Sequence, residues 1–119
     1  MEHIESAYRD GVVEAERDIA AGQPKLLYGA RGSWGEDLAR TLRARFGVEL
    51  VVLSCITDAA RASFELGYNA TVEAHVDGLH GSGSVAAVWE EIQRRREAAY
   101  DAWAAQHRHA EPLTPADLR

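Results

Sequence analysis

A glycine-rich segment between Gly29 and Gly35 carries the residue types that bind small anions. It reads Gly-Ala-Arg-Gly-Ser-Trp-Gly and lies between an apolar run and the start of a predicted helix. Free backbone N–H groups at a helix start attract anions, glycines let a ligand approach the backbone, and Arg31 can grip a phosphate or carboxylate. The spacing matches neither the dinucleotide fingerprint nor the phosphate-binding loop of nucleotide hydrolases, so an ordinary turn is the alternative. The predicted ligand-binding residues here are Gly29, Arg31, Gly32, Ser33 and Trp34.

A second segment, Ser54 to Asp58, follows another apolar run. If the two runs are parallel strands, Thr57 and Asp58 emerge beside Arg31 and join the predicted ligand site. A thiolate at Cys55 beside an arginine or a helix start would have a lowered pKa and could act as a nucleophile. The simpler interpretations are a small buried cysteine and a helix N-cap at Thr57 or Asp58.

The densest cluster of metal-ligand side chains comprises Glu73, His75, Asp77 and His80. On a strand the first three would share one face, whereas on a helix His75 and Asp77 point in nearly opposite directions. The spacing fits no common zinc site, so we predict no metal and no cofactor. The expected role of these residues is a solvated face or a helix-end cap.

The elements that must position these residues form a strand-helix-strand unit over residues 25–55. Leu26 to Tyr28 predict a first strand, and Ser33 with Glu36 forms a capping box that starts a helix ending at Gly47. Val48 to Cys55 predict a second strand, apolar on both faces and therefore expected to be covered on both sides. A helical crossover between them makes the strands parallel and the connection right-handed.

Two further helices flank this unit. Apolar residues at spacings of three and four predict one helix over 3–21 that ends at Gly22. Another helix is predicted from Ser84, as N-cap, to about residue 107, with a face expected to be buried. This helix is longer than a domain of this size needs, so we expect an overhang that meets a partner. Its buried face comprises Val85, Val88, Trp89, Ile92, Ala99, Tyr100 and Trp103.

Residues 60–77 are ambiguous between helix and strand because their apolar residues alternate but also form a helical stripe. A weak internal repeat helps to choose between helix and strand. Tyr8-x-x-Gly11 and Phe64-x-x-Gly67 are each followed, after ten residues, by another glycine. The repeat favours a helix over 58–79. Glycine inside a helix costs about 1 kcal/mol relative to alanine, and a close crossing of the two helices, with each other or with those of a second copy, would explain both positions. The alternative is a pocket lined by Tyr68 and Asn69.

The composition limits the classes of protein to which the chain can belong. The chain has 119 residues, one cysteine and a net charge of -6, which exclude two domains, an internal disulfide and general affinity for nucleic acid. Residues 25–61 carry six bases and four acids, so the predicted anion site lies in a net-positive segment. Without an apolar span or a leader-like start, we expect a cytoplasmic protein with no membrane association. Twelve arginines against one lysine suggest a GC-rich bacterial or phage genome.

The predicted fold class is α/β, or α+β and mostly helical, with a small two-stranded parallel βαβ unit flanked by helices. We expect one globular domain over residues 1–108 and an extended or disordered tail over 109–119. The predicted function is a non-enzymatic interaction module that acts through a protein partner and forms a homodimer by its long final helix or its sheet edge. The alternatives are a binder of a nucleotide or phosphorylated metabolite at 29–35 and a small enzyme that uses Cys55.

Overall fold

The computed structural model describes residues 2–28, 35–53 and 58–107, and confirms a mostly helical fold with a small parallel sheet. The predicted segments 29–34 and 54–57, which include Cys55, lie outside the described residues, as does the C-terminal tail from residue 108. Within the described residues the elements run α1 (Glu2–Ala20), β1 (Lys25–Tyr28), α2 (Gly35–Phe46), β2 (Glu49–Val52), α3 (Ala59–His80) and α4 (Ser84–Gln106).

The two strands pair in parallel, as the helical crossover requires. The register sets Lys25 opposite Glu49 and Tyr28 opposite Val52. Backbone bonds from Glu49 N–H to the Pro24 carbonyl and from Leu53 N–H to the Tyr28 carbonyl extend the pairing at both ends. Both strands therefore end at the same edge of the sheet.

The outer edge of β1 is closed by a side chain of α3. Asn69 Oδ1 accepts a hydrogen bond from Leu27 N–H at 2.8 Å, and Asn69 Nδ2 donates to the Leu27 carbonyl at 2.8 Å. The amide group thus takes the place of a third strand at this residue. It satisfies the donor and the acceptor that Leu27 turns away from β2.

Helices α1 and α3 cross at their glycines. A Cβ built at Gly11 would overlap the Phe64 carbonyl oxygen, and one built at Gly67 would overlap the Tyr8 carbonyl oxygen. Gly11 therefore faces Phe64, three residues before Gly67, and Gly67 faces Tyr8, three residues before Gly11. The structure confirms both the helix over 58–79 and the predicted meeting of the two matching motifs.

The core lies where α3 meets the sheet and the other helices. Its fully buried side chains come from all four helices and from β1, together with Val48 between α2 and β2. Strand β2 is less covered than predicted. Glu49 and Val52 are exposed and the two residues between them are only half-buried, so the prediction that both faces of β2 are covered is wrong. The buried apolar residues are Ala15, Leu26, Leu38, Leu42, Val48, Tyr68, Val72, Val76, Val85, Val88 and Ile92.

Helix α4 is packed only along its first half. Val85, Val88 and Ile92 are buried, but residues 93–103 are exposed, so the predicted buried face is wrong beyond Ile92. The predicted N-cap is also corrected. Gly83, in the left-handed conformation, is the N-cap residue, and Ser84 Oγ instead donates to the Gly81 carbonyl.

The molecule is elongated, and the second half of α4 is exposed. The radius of gyration is 19.0 Å and the principal extents are 57 × 34 × 19 Å. A compact domain of this length has a radius of gyration of about 13.5 Å. We refer to residues 93–107 as the α4 arm.

Candidate functional site

Of the residues predicted to bind an anion, only Asp58 is among those the structure describes. Gly29, Arg31, Gly32, Ser33, Trp34 and Thr57 lie outside the described residues, and so does the candidate nucleophile Cys55. The strand directions that the prediction required are confirmed, because β1 and β2 are parallel and aligned at their carboxyl ends. The anion site itself stays a prediction.

Asp58 is the N-cap of α3, as one of the two simpler interpretations predicted. Its Oδ1 accepts a hydrogen bond from Arg61 N–H at 2.8 Å, and its backbone is extended, with φ of -107°. This bond satisfies one of the free donors at the helix start. The carboxylate of Asp58 therefore has a structural role in addition to any role toward a ligand.

An open groove lies between the carboxyl ends of the strands and the first turns of α3. Its volume is about 560 Å³. Leu27, Leu53 and Phe64 form the apolar part of its lining, and the polar part consists of Asp58, Arg61 and Glu65. Arg61 Nε lies 3.5 Å from Glu65 Oε1, so the one cation of the described lining is paired. The described lining is apolar and slightly acidic, which does not favour an anion.

The four candidate metal ligands on α3 do not converge. Glu73 accepts a hydrogen bond from the Tyr28 hydroxyl at 3.2 Å, and Asp77 accepts one from Val85 N–H at 3.4 Å. The His80 ring lies against Phe46, with ring centroids 4.9 Å apart. Among the described residues, no group of three or more such side chains is arranged to hold a metal ion.

Two tyrosines have strongly perturbed hydroxyl groups. Burial, and then the charge of Glu73, raises the pKa of Tyr28 to about 12, and the Tyr28 ring also contacts Trp89 edge-on. Burial, and then a hydrogen bond donated to Asp18, raises the pKa of Tyr68. Both hydroxyl groups join separate elements of the fold, so their perturbation is explained by packing.

The α4 arm carries an exposed aromatic cluster. Tyr100 is 65% exposed and Trp103 is 55% exposed. Their rings lie 6.0 Å apart, and the ring of His107 stacks on Trp103 at 4.4 Å. Aromatic rings exposed on a projecting helix remain in contact with water unless another molecule covers them.

The aromatic cluster belongs to a longer stripe. Side chains at alternating spacings of four and three fall along one side of a helix, which is the pattern of a helix-helix seam. Shallow grooves with volumes of about 420 and 380 Å³ lie along this side of α4. We refer to the stripe as the α4 seam, and its members are Trp89, Gln93, Arg96, Tyr100, Trp103 and His107.

One of the three consecutive arginines of α4 forms an ion pair among the described residues. Arg95 pairs with Glu91, four residues before it on the helix, at 2.8 Å. Glu91 also binds Arg45 of α2 at 2.6 Å, and these arginines lower the pKa of Glu91. Of the three, Arg96 lies in the α4 seam. The length of the helix predicted an overhang, but which residues of the stripe are exposed became apparent only from the structure.

Comparisons of the chain with protein-family models, with curated proteins and with solved structures found no match. None of the helices in the described residues combines the length and the hydropathy that crossing a membrane requires. The functional argument therefore rests on the surfaces of the chain itself.

Proposed function

We propose that this chain is a non-enzymatic, homodimeric interaction module that presents the α4 arm to a protein partner. The observation that carries the proposal is the exposed aromatic pair Tyr100 and Trp103 on a helix that extends beyond the packed body. Large aromatic side chains are enriched among the residues that dominate binding energy in protein interfaces. An ordered helix also offers them without a large entropic cost on binding.

The chemistry of the α4 seam indicates the kind of partner. Tyr100 and Trp103 are complementary to an apolar surface, and Arg96 is complementary to a carboxylate. An amphipathic helix of the partner supplies both when its small or apolar residues face the rings and an acidic residue faces Arg96. The partner helix would lie along the arm in the manner of a short coiled coil.

Photo-crosslinking from the seam tests this proposal in cells of the source organism. A benzoylphenylalanine placed at position 100 should capture one defined protein, identified by mass spectrometry. The adduct should disappear when Trp103→Ala is added, because the neighbouring ring contributes to the same contact. The matched control carries the photoreactive residue at Val13, an exposed position of α1. Absence of any adduct, or adducts only with the chain itself, would refute the proposed partner site.

A second candidate function is the binding of a small anionic ligand. It is supported by the position of the groove, at the carboxyl ends of two parallel strands where open α/β sheets usually bind ligands, and not by the described lining of the groove. Thermal unfolding measured with a panel of nucleotides and phosphorylated metabolites tests it. A stabilising shift that Arg31→Ala abolishes would support this function, and no shift with any anion would contradict it.

The third candidate function, catalysis by Cys55, stays a prediction. Its test is labelling with iodoacetamide at neutral pH. Rapid labelling of the folded chain would indicate a reactive thiolate, whereas labelling limited by unfolding would make Cys55 a packing residue.

A further inference from the structure

The edge of β2 that faces away from β1 carries backbone groups that bind no described residue. The bonds of Glu49 and Leu53 to β1 show that the odd-numbered residues of β2 face β1. Because hydrogen-bonding directions alternate along a strand, Leu50 and Val52 turn their N–H and carbonyl groups away from β1. No described residue forms a hydrogen bond with these groups. By contrast, the matching groups of β1, at Leu27, are bound by Asn69.

We propose that β2 pairs antiparallel with β2 of a second copy of this chain, around a two-fold axis at Val51. The inference rests on the proposed function, because it names the surface that forms the homodimer. The product is a continuous sheet in the order β1-β2-β2-β1. Each copy keeps its own α4 arm, so the dimer offers two arms to its partners.

The register follows from which backbone groups are free. In a pairing centred on Val51, Leu50 of each copy faces Val52 of the other, and both residues donate and accept a hydrogen bond. A pairing centred on Leu50 would instead need the N–H of Val48, which already donates to the Leu42 carbonyl. The centre at Val51 uses both free residues of β2 and no group that is already bound.

The side chains of β2 favour a second copy as the occupant. The strand reads Glu-Leu-Val-Val; it is short and begins with one exposed charge, at Glu49, but it contains no lysine or proline that would protect a sheet edge. Val52 is 53% exposed, so its apolar surface is available to a neighbouring strand. In the proposed register, Glu49 faces Leu53 of the second copy, which keeps the two carboxylates apart. In this register the strand is complementary to itself in hydrogen bonding, and no like charges face each other.

Two strands alone make a marginal sheet, and pairing of two copies would double it. Every β-strand residue that faces away from β1 would then have a partner. The edge that Asn69 closes would stay at the outside of the enlarged sheet. This division of the two edges, one closed by a side chain and one open, is what assigns the interface to β2.

Introducing a charged residue at the two-fold axis tests the register. Val51→Glu and Val51→Lys each place like charges opposite one another in the dimer, and each should weaken self-association at least about tenfold. A mixture of the two variants places opposite charges there and should restore a dimer that contains one copy of each. Analytical ultracentrifugation of each variant and of the mixture measures this, and circular dichroism checks that each variant is folded.

A conservative variant keeps the test decisive if the charged residues impair folding. Residues at a non-hydrogen-bonded antiparallel position have Cα atoms about 4.5 Å apart, within the range of a disulfide. In a Cys55→Ser background, Val51→Cys should therefore form a disulfide-linked dimer under mild oxidation. Val13→Cys in the same background is the matched control and should cross-link at least about tenfold more slowly.

The outcomes separate this inference from the proposed function. Trp103→Ala should leave the dimer intact, because the arm lies outside the β2 interface. A wild-type chain that sediments as a monomer at micromolar concentration would overturn the inference and leave the arm's partner site standing. A dimer that Trp103→Ala dissociates and the Val51 variants do not would also overturn it, because the arm would then form the interface.

Discussion

The substitution Gly11→Ala should destabilise the fold because it inserts a methyl group into the crossing of α1 and α3. The new Cβ would lie 2.9 Å from the backbone nitrogen of Tyr68 and closer still to the Phe64 carbonyl oxygen. Ordinary contact begins near 3.4 Å, and both obstacles are backbone atoms that cannot rotate away. The two helices must therefore separate, which also loosens the contacts on either side of the crossing.

The magnitude follows from two opposing effects. Overpacking of a well-packed interior costs about 1 to 3 kcal/mol, and a clash with backbone on a second helix belongs at the upper end. Replacing a helical glycine by alanine returns about 1 kcal/mol. We expect a net loss of about 2 kcal/mol, which lowers the melting temperature by roughly 10 °C for a chain of this size.

Urea unfolding followed by circular dichroism measures this effect, with Gly78→Ala as the matched control. Gly78 lies in α3, and a Cβ built there meets nothing within 4 Å. The control should therefore stabilise the chain by up to about 1 kcal/mol. Combining Gly11→Ala with Gly67→Ala should cost less than the sum of the single effects, since the first methyl group already separates the helices. If Gly11→Ala stabilised the chain as Gly78→Ala does, the close crossing would be refuted.

Three further predictions concern side-chain contacts. The pKa of Tyr28 is about 12 in the folded chain and near 10 when unfolded, so the unfolding free energy should fall as pH rises from 10 to 12. Tyr28→Phe should make that fall shallower, and an equal fall in the wild type and the variant would contradict this. Asn69→Ala leaves the Leu27 N–H and carbonyl unpaired and should cost about 2 kcal/mol in urea unfolding, whereas an unchanged midpoint would exclude the edge closure. Arg45→Ala should raise the pKa of Glu91 toward 4.5, measured by NMR titration, and an unchanged pKa would show that Arg45 does not act on it.

Local patterns determined much of the fold. Gly22 and Gly47 adopt the positive φ that ends α1 and α2, because glycine has no side chain to oppose it. The strand-helix-strand order made β1 and β2 parallel, since a helical crossover returns the chain in the same direction. The repeated glycine motif even predicted that α1 and α3 meet. Each of these features depends on residues close together in sequence or on a chain constraint.

The candidate site was less predictable. Ala99, Tyr100 and Trp103 continue the apolar stripe of α4, and periodicity cannot distinguish a face that meets the core from one that projects beyond it. That distinction depends on where the body ends, near Ile92, and hence on how every element packs. The stripe alone therefore predicted burial where the structure shows an exposed arm.

The sequence by itself determined the helices, the strand order and the helix crossing, because short-range spacing and the steric freedom of glycine govern them. Only the tertiary structure decided which edges and faces remain uncovered. Asn69 closes one edge of the sheet from a residue more than forty positions away, and nothing described closes the other. Burial and exposure are properties of the assembled surface, and that surface is where the proposed interactions of this chain lie.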